Sequence, residues 1–279
     1  MVKETENLIE IYKLSDEEHK KVLECLKNNL FIGKVSGKTP SIVFVIGQPG
    51  SGKTTFIENS DLSNYLIINS DEYRYLSKYS KEILSKYPTQ YAKLTNYDAH
   101  LWGDELFDYA IQNGYSVLRE KAPIDFSLLE LIKTISNNFK VIINVVVEGN
   151  LESLLRTRER YEKEILENNN AKLSSIEAHN NCYNLLPTFI SMCISLGIKV
   201  NYVVKGDIIL ALNNPLELLQ NIRAESNEKA SLNYKERIDK IKESMINRNA
   251  PEDQFNELQK IEDIYIQVNG VNNNKISKK

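Results

Sequence analysis

A chain of 279 residues with a formal net charge of −3 has no global pull toward nucleic acid or a membrane surface. Hydrophobic residues make up 42% of it, enough for a core, and the length suits one α/β unit with helical additions. No apolar run approaches the ~18 residues of a membrane span. The opening MVKETENLIE lacks a signal-peptide apolar region, and the expectation is a cytoplasmic protein. Cys25, Cys182 and Cys193 are odd in number and show no C-x-x-C spacing, so they read as reduced structural residues.

In chain order, the first pattern is an amphipathic helix. Ser15 with Glu18 three positions on forms a capping box, and Val22, Leu23, Leu26 and Leu30 follow at helical spacing. Ser41 to Ile46 (SIVFVI) has the length and β-branching of a buried strand. It runs into Gly47, Gln48, Pro49, Gly50, Ser51, Gly52, Lys53, Thr54 and Thr55, which match G-x-x-x-x-G-K-[ST] in full, and Thr54 to Asn59 can open a helix. A strand–glycine loop–helix junction aims several backbone N–H groups at one point. Lys53 then meets the outer phosphates of a nucleoside triphosphate, and the Thr54 hydroxyl holds Mg2+.

Further strands are expected at Tyr65 to Asn69, ending in Ser70-Asp71, and at Ser116 to Leu118, leading into Arg119-Glu120. Two more are expected at Val141 to Val147 and at Val200 to Val204, and a helical and loop stretch fills Glu72 to Asn113. The alternation predicts an α/β fold of the P-loop NTPase type. It has a mainly parallel sheet of about five to six strands flanked by helices, with a helical C-terminal extension. The expected organisation is a core over 1–223 with a lid at about 150–176, an extension over 224–269 and a disordered tail over 270–279. In the extension, Lys235 to Asn247 and Glu252 to Val268 read as two helices joined at Ala250-Pro251.

Phosphoryl transfer needs a carboxylate near the acceptor and cations on the migrating charge, and open α/β sheets supply such groups from the carboxyl ends of strands. Asp71 and Glu120 follow two of the strands, and Arg156, Arg158 and Arg160 follow a third on a helical pattern. Each has a plainer reading. Asp71 caps a helix, Glu120 pairs with Arg119 or Lys121, and the arginines lace a charged face with Glu159, Glu162 and Glu164. Positions 156 and 160 share one helix face, whereas 158 points elsewhere. His19, His100 and His179 are too scattered for a metal pair. Trp102 and the tyrosines of 73–97 suit the core better than a sugar or base pocket. Two other chemistries stay open. One is an ATPase switch with Glu148 as its strand-end carboxylate. The other is a polynucleotide 5′-kinase, which the acidic balance disfavours.

GQPGSGKTT after its strand, INSDEYR, GYSVLRE and TRERYE in this order resemble the zeta toxins, the kinase halves of bacterial epsilon/zeta toxin–antitoxin systems. The first helix, the EAHN segment (Glu177 to Asn180) and KERIDKIKESMINRN extend the likeness to about residue 265. The resemblance implies an ATP- and Mg2+-dependent kinase acting on the 3′-hydroxyl of the N-acetylglucosamine moiety of UDP-N-acetylglucosamine, with a small helical epsilon-type antitoxin as partner. Carried over, Lys53 is the phosphate-loop lysine and Thr54 the Mg2+ ligand. Asp71 is the base, Glu120 the acid that binds the amino sugar, and Arg160 the lid arginine. Lys172 stands nearest to a second lid cation, where the family has an arginine. The chain also departs from the family's Glu-Gly-Thr at the third strand, carrying Glu120-Lys121-Ala122-Pro123 instead. The acceptor can therefore differ, toward another nucleotide sugar, metabolite or drug, or a substrate with extra negative charge.

Overall fold

A computed structural model of the protein describes residues 2–61, 64–87, 90–123, 125–167, 171, 173–210 and 214–276. Helices α1 (Val2–Tyr12) and α2 (Asp16–Leu30) lead into strand β1 (Ser41–Ile46) and helix α3 (Lys53–Glu58). Strand β2 (Leu66–Ile68), a 3-10 turn at Arg74–Leu76 and helices α4 (Ser80–Lys86), α5 (Tyr91–Leu94) and α6 (Asn96–Gln112) follow. Then come β3 (Val117–Lys121), α7 (Ser127–Ile135), β4 (Lys140–Val146), α8 (Asn150–Leu166), α9 (Ile176–Ser195), β5 (Lys199–Val204) and β6 (Asp207–Leu210). Three helices close the chain: α10 (Pro215–Leu232), α11 (Tyr234–Asn247) and α12 (Glu252–Ile276).

Among the described residues the sheet has six strands, in the order β2-β3-β1-β4-β5-β6. The first five are parallel and β6 is antiparallel to β5. β1 is central because it is apolar on both faces, as a strand covered from both sides must be. Ile42, Phe44 and Ile46 enter the core with Trp102, Leu106 and Phe107 of α6, whereas Val43 and Val45 pack under Phe56 and Ile57 of α3. Trp102 is fully buried and its indole N–H donates to the His19 carbonyl at 3.1 Å, which settles it as core. The capping box at α2 is present as read, with Glu18 N donating to Ser15 Oγ and Ser15 N to Glu18 Oε2. Cys182 and Cys193 are buried, and burial pushes their thiols up to about 11 and about 12.

Several boundaries differ from the sequence expectations. β2 shortens to three residues, and β3 runs on to Lys121 because β1 pairs with it as far as Ile46↔Lys121. Glu120 is therefore inside β3, not beyond it. β6 is reached through Lys205 (φ 53°) and Gly206 (φ 93°), a two-residue turn with both angles positive. Its four residues are all exposed, so no burial pattern announces it. The boundary expected near 224 falls inside α10, whose Leu219 joins the main core while Ala230 joins a second one built around α8. The last helix, α12, is assigned from Glu252 to Ile276. Residues 277–279 lie outside the described residues.

Candidate active site

The site is built at the carboxyl edge of the sheet, where β1 turns into α3. Gly50 (φ 77°) and Gly52 (φ 97°) take the left-handed backbone that lets the loop wrap its amides inward. A Cβ on Gly50 would also stand 2.0 Å from the Ser153 carbonyl oxygen of α8, so the loop and α8 touch backbone to backbone. Gly50→Ala is expected to push α8 off the loop and cost about 2 kcal/mol or more of stability. Thermal unfolding together with a nucleotide titration checks this.

Lys53 is buried. Its Nζ donates to the carbonyls of Gly47 (2.9 Å) and Gln48 (3.1 Å) and lies 3.7 Å from Glu120 Oε1. Thr54 Oγ1 donates to Glu120 Oε2 at 3.3 Å. Ser51 Oγ is buried and makes no hydrogen bond among the described residues, an orphan that a phosphate oxygen would satisfy. The donor set fits a hard cation shared with phosphates, since a hydroxyl and a carboxylate face each other at the loop. Among the described residues no group of three or more His, Cys, Asp or Glu side chains converges to hold a metal alone. A cavity of about 570 Å3 opens here, lined in part by Thr54, Ile57, Asn69, Glu72 and Glu120.

Asp71 is half exposed. Arg74 donates to its Oδ1 through Nε and Nη2, each at 2.8 Å, and the Asp71 amide donates to Asn69 Oδ1 at 3.1 Å. Arg74 itself is buried and spends its other donors on Ala92 O, Thr95 Oγ1 and Asn96 Oδ1. The carboxylate is thus aimed by a guanidinium anchored at the start of α6. The 3-10 turn that follows has Tyr73 as its cap residue and no side-chain capping bond, so Asp71 does not serve as a cap.

Next to Asp71 the α6 face of β3 carries a second set of charges that sequence reasoning left largely unassigned. Arg119 is fully buried and donates to Asp104, and Lys121 Nζ lies 3.8 Å from the same carboxylate. Burial, then Arg119, brings Lys121 down to about 8, and burial, then Lys121 and Arg74, brings His100 down to about 4. Because the folded-state value of Lys121 lies below its ordinary 10.5, its charged form is disfavoured by folding. Its contribution to stability therefore improves as pH rises from about 8 toward 10.5. Comparing unfolding midpoints of wild type and Lys121→Met across that window checks the sign: the wild type is expected to gain on the variant.

The three arginines of α8 part company. Arg158 is buried against Glu257 of α12 (3.2 Å) and is structural. Arg160 is about half exposed and faces Glu164 at 3.6 Å, so it is not brought to the loop. Arg156 does reach it: its Nη1 lies 3.9 Å from a Cβ built on Gly52. Glu148 Oε2 (2.7 Å) and Glu152 Oε1 (2.6 Å) hold it there. Glu148 is occupied by Arg156 and Ser226, while Glu120 stands at Thr54, which weakens the reading of Glu148 as the metal-side carboxylate. Of the other expected residues, Pro49 is half-buried, Thr55 is exposed on α3, and Lys172 lies outside the described residues. A buried relay that spacing did not reveal joins α9 to the loop. His179 Nε2 meets Ser153 Oγ at 2.8 Å, and Gln48 Nε2 donates to Ser153 Oγ at 3.3 Å and to Glu148 O at 3.0 Å. The EAHN segment was its only trace in the sequence.

A family model, that of the zeta toxins, matches residues 28–214, about two thirds of the chain. The chain belongs to the zeta toxin family. Among solved structures, it is similar to a chain of the PezAT chromosomal toxin–antitoxin system of Streptococcus pneumoniae, with a TM-score of 0.66 and 21% identity. That match covers 76% of this chain and 89% of the other. The AvrRxo1-ORF1:-ORF2 complex shares the fold at a TM-score of 0.50 and 13% identity, over 74% of this chain and 72% of that one. A protein of Acanthamoeba polyphaga mimivirus, named as a bifunctional polynucleotide phosphatase/kinase, is 36% identical over 72 residues. The matched stretch is 25% of this chain and spans only 17% of that protein. The zeta-type P-loop kinase fold is thus shared across the sheet and the loop. Among the described residues, no helix of this family member is long and apolar enough to cross a membrane.

Proposed function

We propose that the protein is an ATP-dependent small-molecule kinase that phosphorylates an alcohol of a nucleotide sugar, the 3′-hydroxyl of UDP-N-acetylglucosamine being the first candidate. The observation that carries this is Glu120, near the carboxyl end of β3, meeting Thr54 and Lys53 of the phosphate loop, with Asp71 just beyond the neighbouring strand β2. In the proposed reaction, the amides of residues 49–54 and Lys53 hold the triphosphate. Mg2+, when bound beside Thr54 and Glu120, neutralises phosphate charge. Asp71, aimed by Arg74, accepts the acceptor proton as the new oxygen–phosphorus bond forms and the bond to ADP breaks. Arg156 offers a guanidinium to the phosphates. Arg160 and Lys172 are proposed to add positive charge toward the transferred phosphate, as the family resemblance implies.

Glu120 supports two roles in this reading, metal-side carboxylate and amino-sugar acid. Its contact with Thr54 favours the first. Lys121 adds a half-buried cation near Asp71 and favours an acceptor bearing an anionic group. The toxin–antitoxin system and the two-component complex named among the similar structures support a small antitoxin as partner, and a cytoplasmic site of action agrees with a nucleotide-sugar substrate. Incubation with labelled ATP and a panel of nucleotide sugars tests the proposal. Label on one sugar nucleotide is the expected result. ADP release with no labelled acceptor would replace it with an ATPase switch.

A further inference from the structure

Helices α10 to α12 lie beyond residue 214, outside the part of the chain that the family model matches, yet α10 and α11 build the seat of Arg156. The cap residue of α8 is Gly149, which has no side chain to satisfy the first amides of the helix. α10 supplies the caps instead. Gly149 N donates to Ser226 Oγ and Leu151 N to Asn227 Oδ1, both at 3.0 Å. A Cβ at position 149 would lie 2.3 Å from Asn227 Oδ1, so the glycine makes room for this contact.

The same helices fix both carboxylates that hold Arg156. The Ser226 hydroxyl donates to Glu148 Oε1, and the other oxygen of Glu148 takes Arg156 Nη1 at 2.7 Å. Arg237 of α11 grips Glu159 through Nε (2.6 Å) and Nη2 (2.7 Å) and gives Nη1 to Glu152 Oε2, while Glu152 Oε1 accepts Arg156 Nε at 2.6 Å. Two negative charges therefore bracket one guanidinium beside the phosphate loop, and Arg237 offsets one of them. We propose that Ser226 and Arg237 are positioning residues for Arg156, so that helices α10 and α11 are a working part of the nucleotide site. The inference rests on the nucleotide-site reading above. Without Arg237, Glu152 would hold Arg156 back and add uncompensated negative potential where phosphates bind.

Calorimetric titration of the full chain with ATP and Mg2+, alongside unfolding midpoints, provides the test. Arg237→Met is expected to weaken ATP binding about tenfold. Arg248→Met breaks an equally close pair with Glu162, which does not touch Arg156, and is expected to stay within about twofold of wild type. Adding Glu152→Gln to Arg237→Met removes the one uncovered charge that touches Arg156, leaving Glu159, and is expected to restore affinity to within about threefold, a recovery that lost helix packing would not show. Should Arg237→Met fail to fold, Ser226→Ala decides, with an expected loss of about threefold. Unchanged affinity in Arg237→Met, equal loss in Arg248→Met, no recovery in the double variant, or unchanged affinity in Ser226→Ala would each overturn the inference alone. A wild type that binds no ATP would overturn the proposed function and this inference together.

Discussion

Lys53→Ala is expected to weaken ATP binding by about a hundredfold or more while leaving the fold in place. A charge-assisted contact from a preplaced ammonium to phosphate is worth about 1.5–3 kcal/mol. Here the loss is compounded. Lys53 also lies 3.7 Å from Glu120, and without it that carboxylate faces the incoming phosphates with less compensating charge. The carbonyls of Gly47 and Gln48 lose a donor, which water entering the opened space can replace. Calorimetry with ATP and Mg2+ reads the effect, and the unfolding midpoint separates it from misfolding. Affinity within about threefold of wild type would show that the loop is not a phosphate cradle.

Asp71→Asn is expected to do the opposite: ATP affinity within about twofold of wild type, and transfer reduced by about a thousandfold. Asn keeps the size of the side chain and one oxygen for Arg74, so the loop geometry stays, but it cannot take a proton from an acceptor alcohol. The carboxylate is half exposed, and the buried Arg74 guanidinium keeps the Asn oxygen and its bonds to Ala92 O, Thr95 Oγ1 and Asn96 Oδ1, so its donors stay satisfied. Label transfer from ATP, measured beside nucleotide binding, separates the two outcomes. Growth of a host lacking the antitoxin gives a second reading, with arrest expected for wild type and not for the variant. Full transfer by Asp71→Asn would remove this residue as the base.

The phosphate loop was legible in the sequence because everything it needs is contiguous. An apolar strand, a glycine run and a helix start occur within about twenty residues, and local sterics dictate the loop shape. Asp71 was legible for a related reason, since a polar residue at the end of an apolar strand in an α/β pattern falls at the carboxyl edge of the sheet. Arg156 and Arg160 show where that kind of reasoning stops. They share a helix face, so periodicity cannot choose between them. The choice is made by the contact of Gly50 with the Ser153 carbonyl, which sets how far along α8 the loop sits. Glu120 is similar: its partner depends on the register Val45↔Glu120, which brings the carboxylate beside Thr54.

What the sequence alone determined was the class of chemistry: a nucleotide-binding α/β fold, its lysine and hydroxyl at the loop, and a carboxylate after another strand of the same sheet. These follow from short-range geometry, where a few neighbouring residues constrain the backbone and its donors. Only the tertiary structure decided which arginine meets the loop, that Lys121 and His100 border Asp71, and that Ser226 and Arg237 hold the helix carrying Arg156. Those contacts join residues far apart in the chain. Their existence depends on how helices and strands pack, a property that no single stretch of sequence carries.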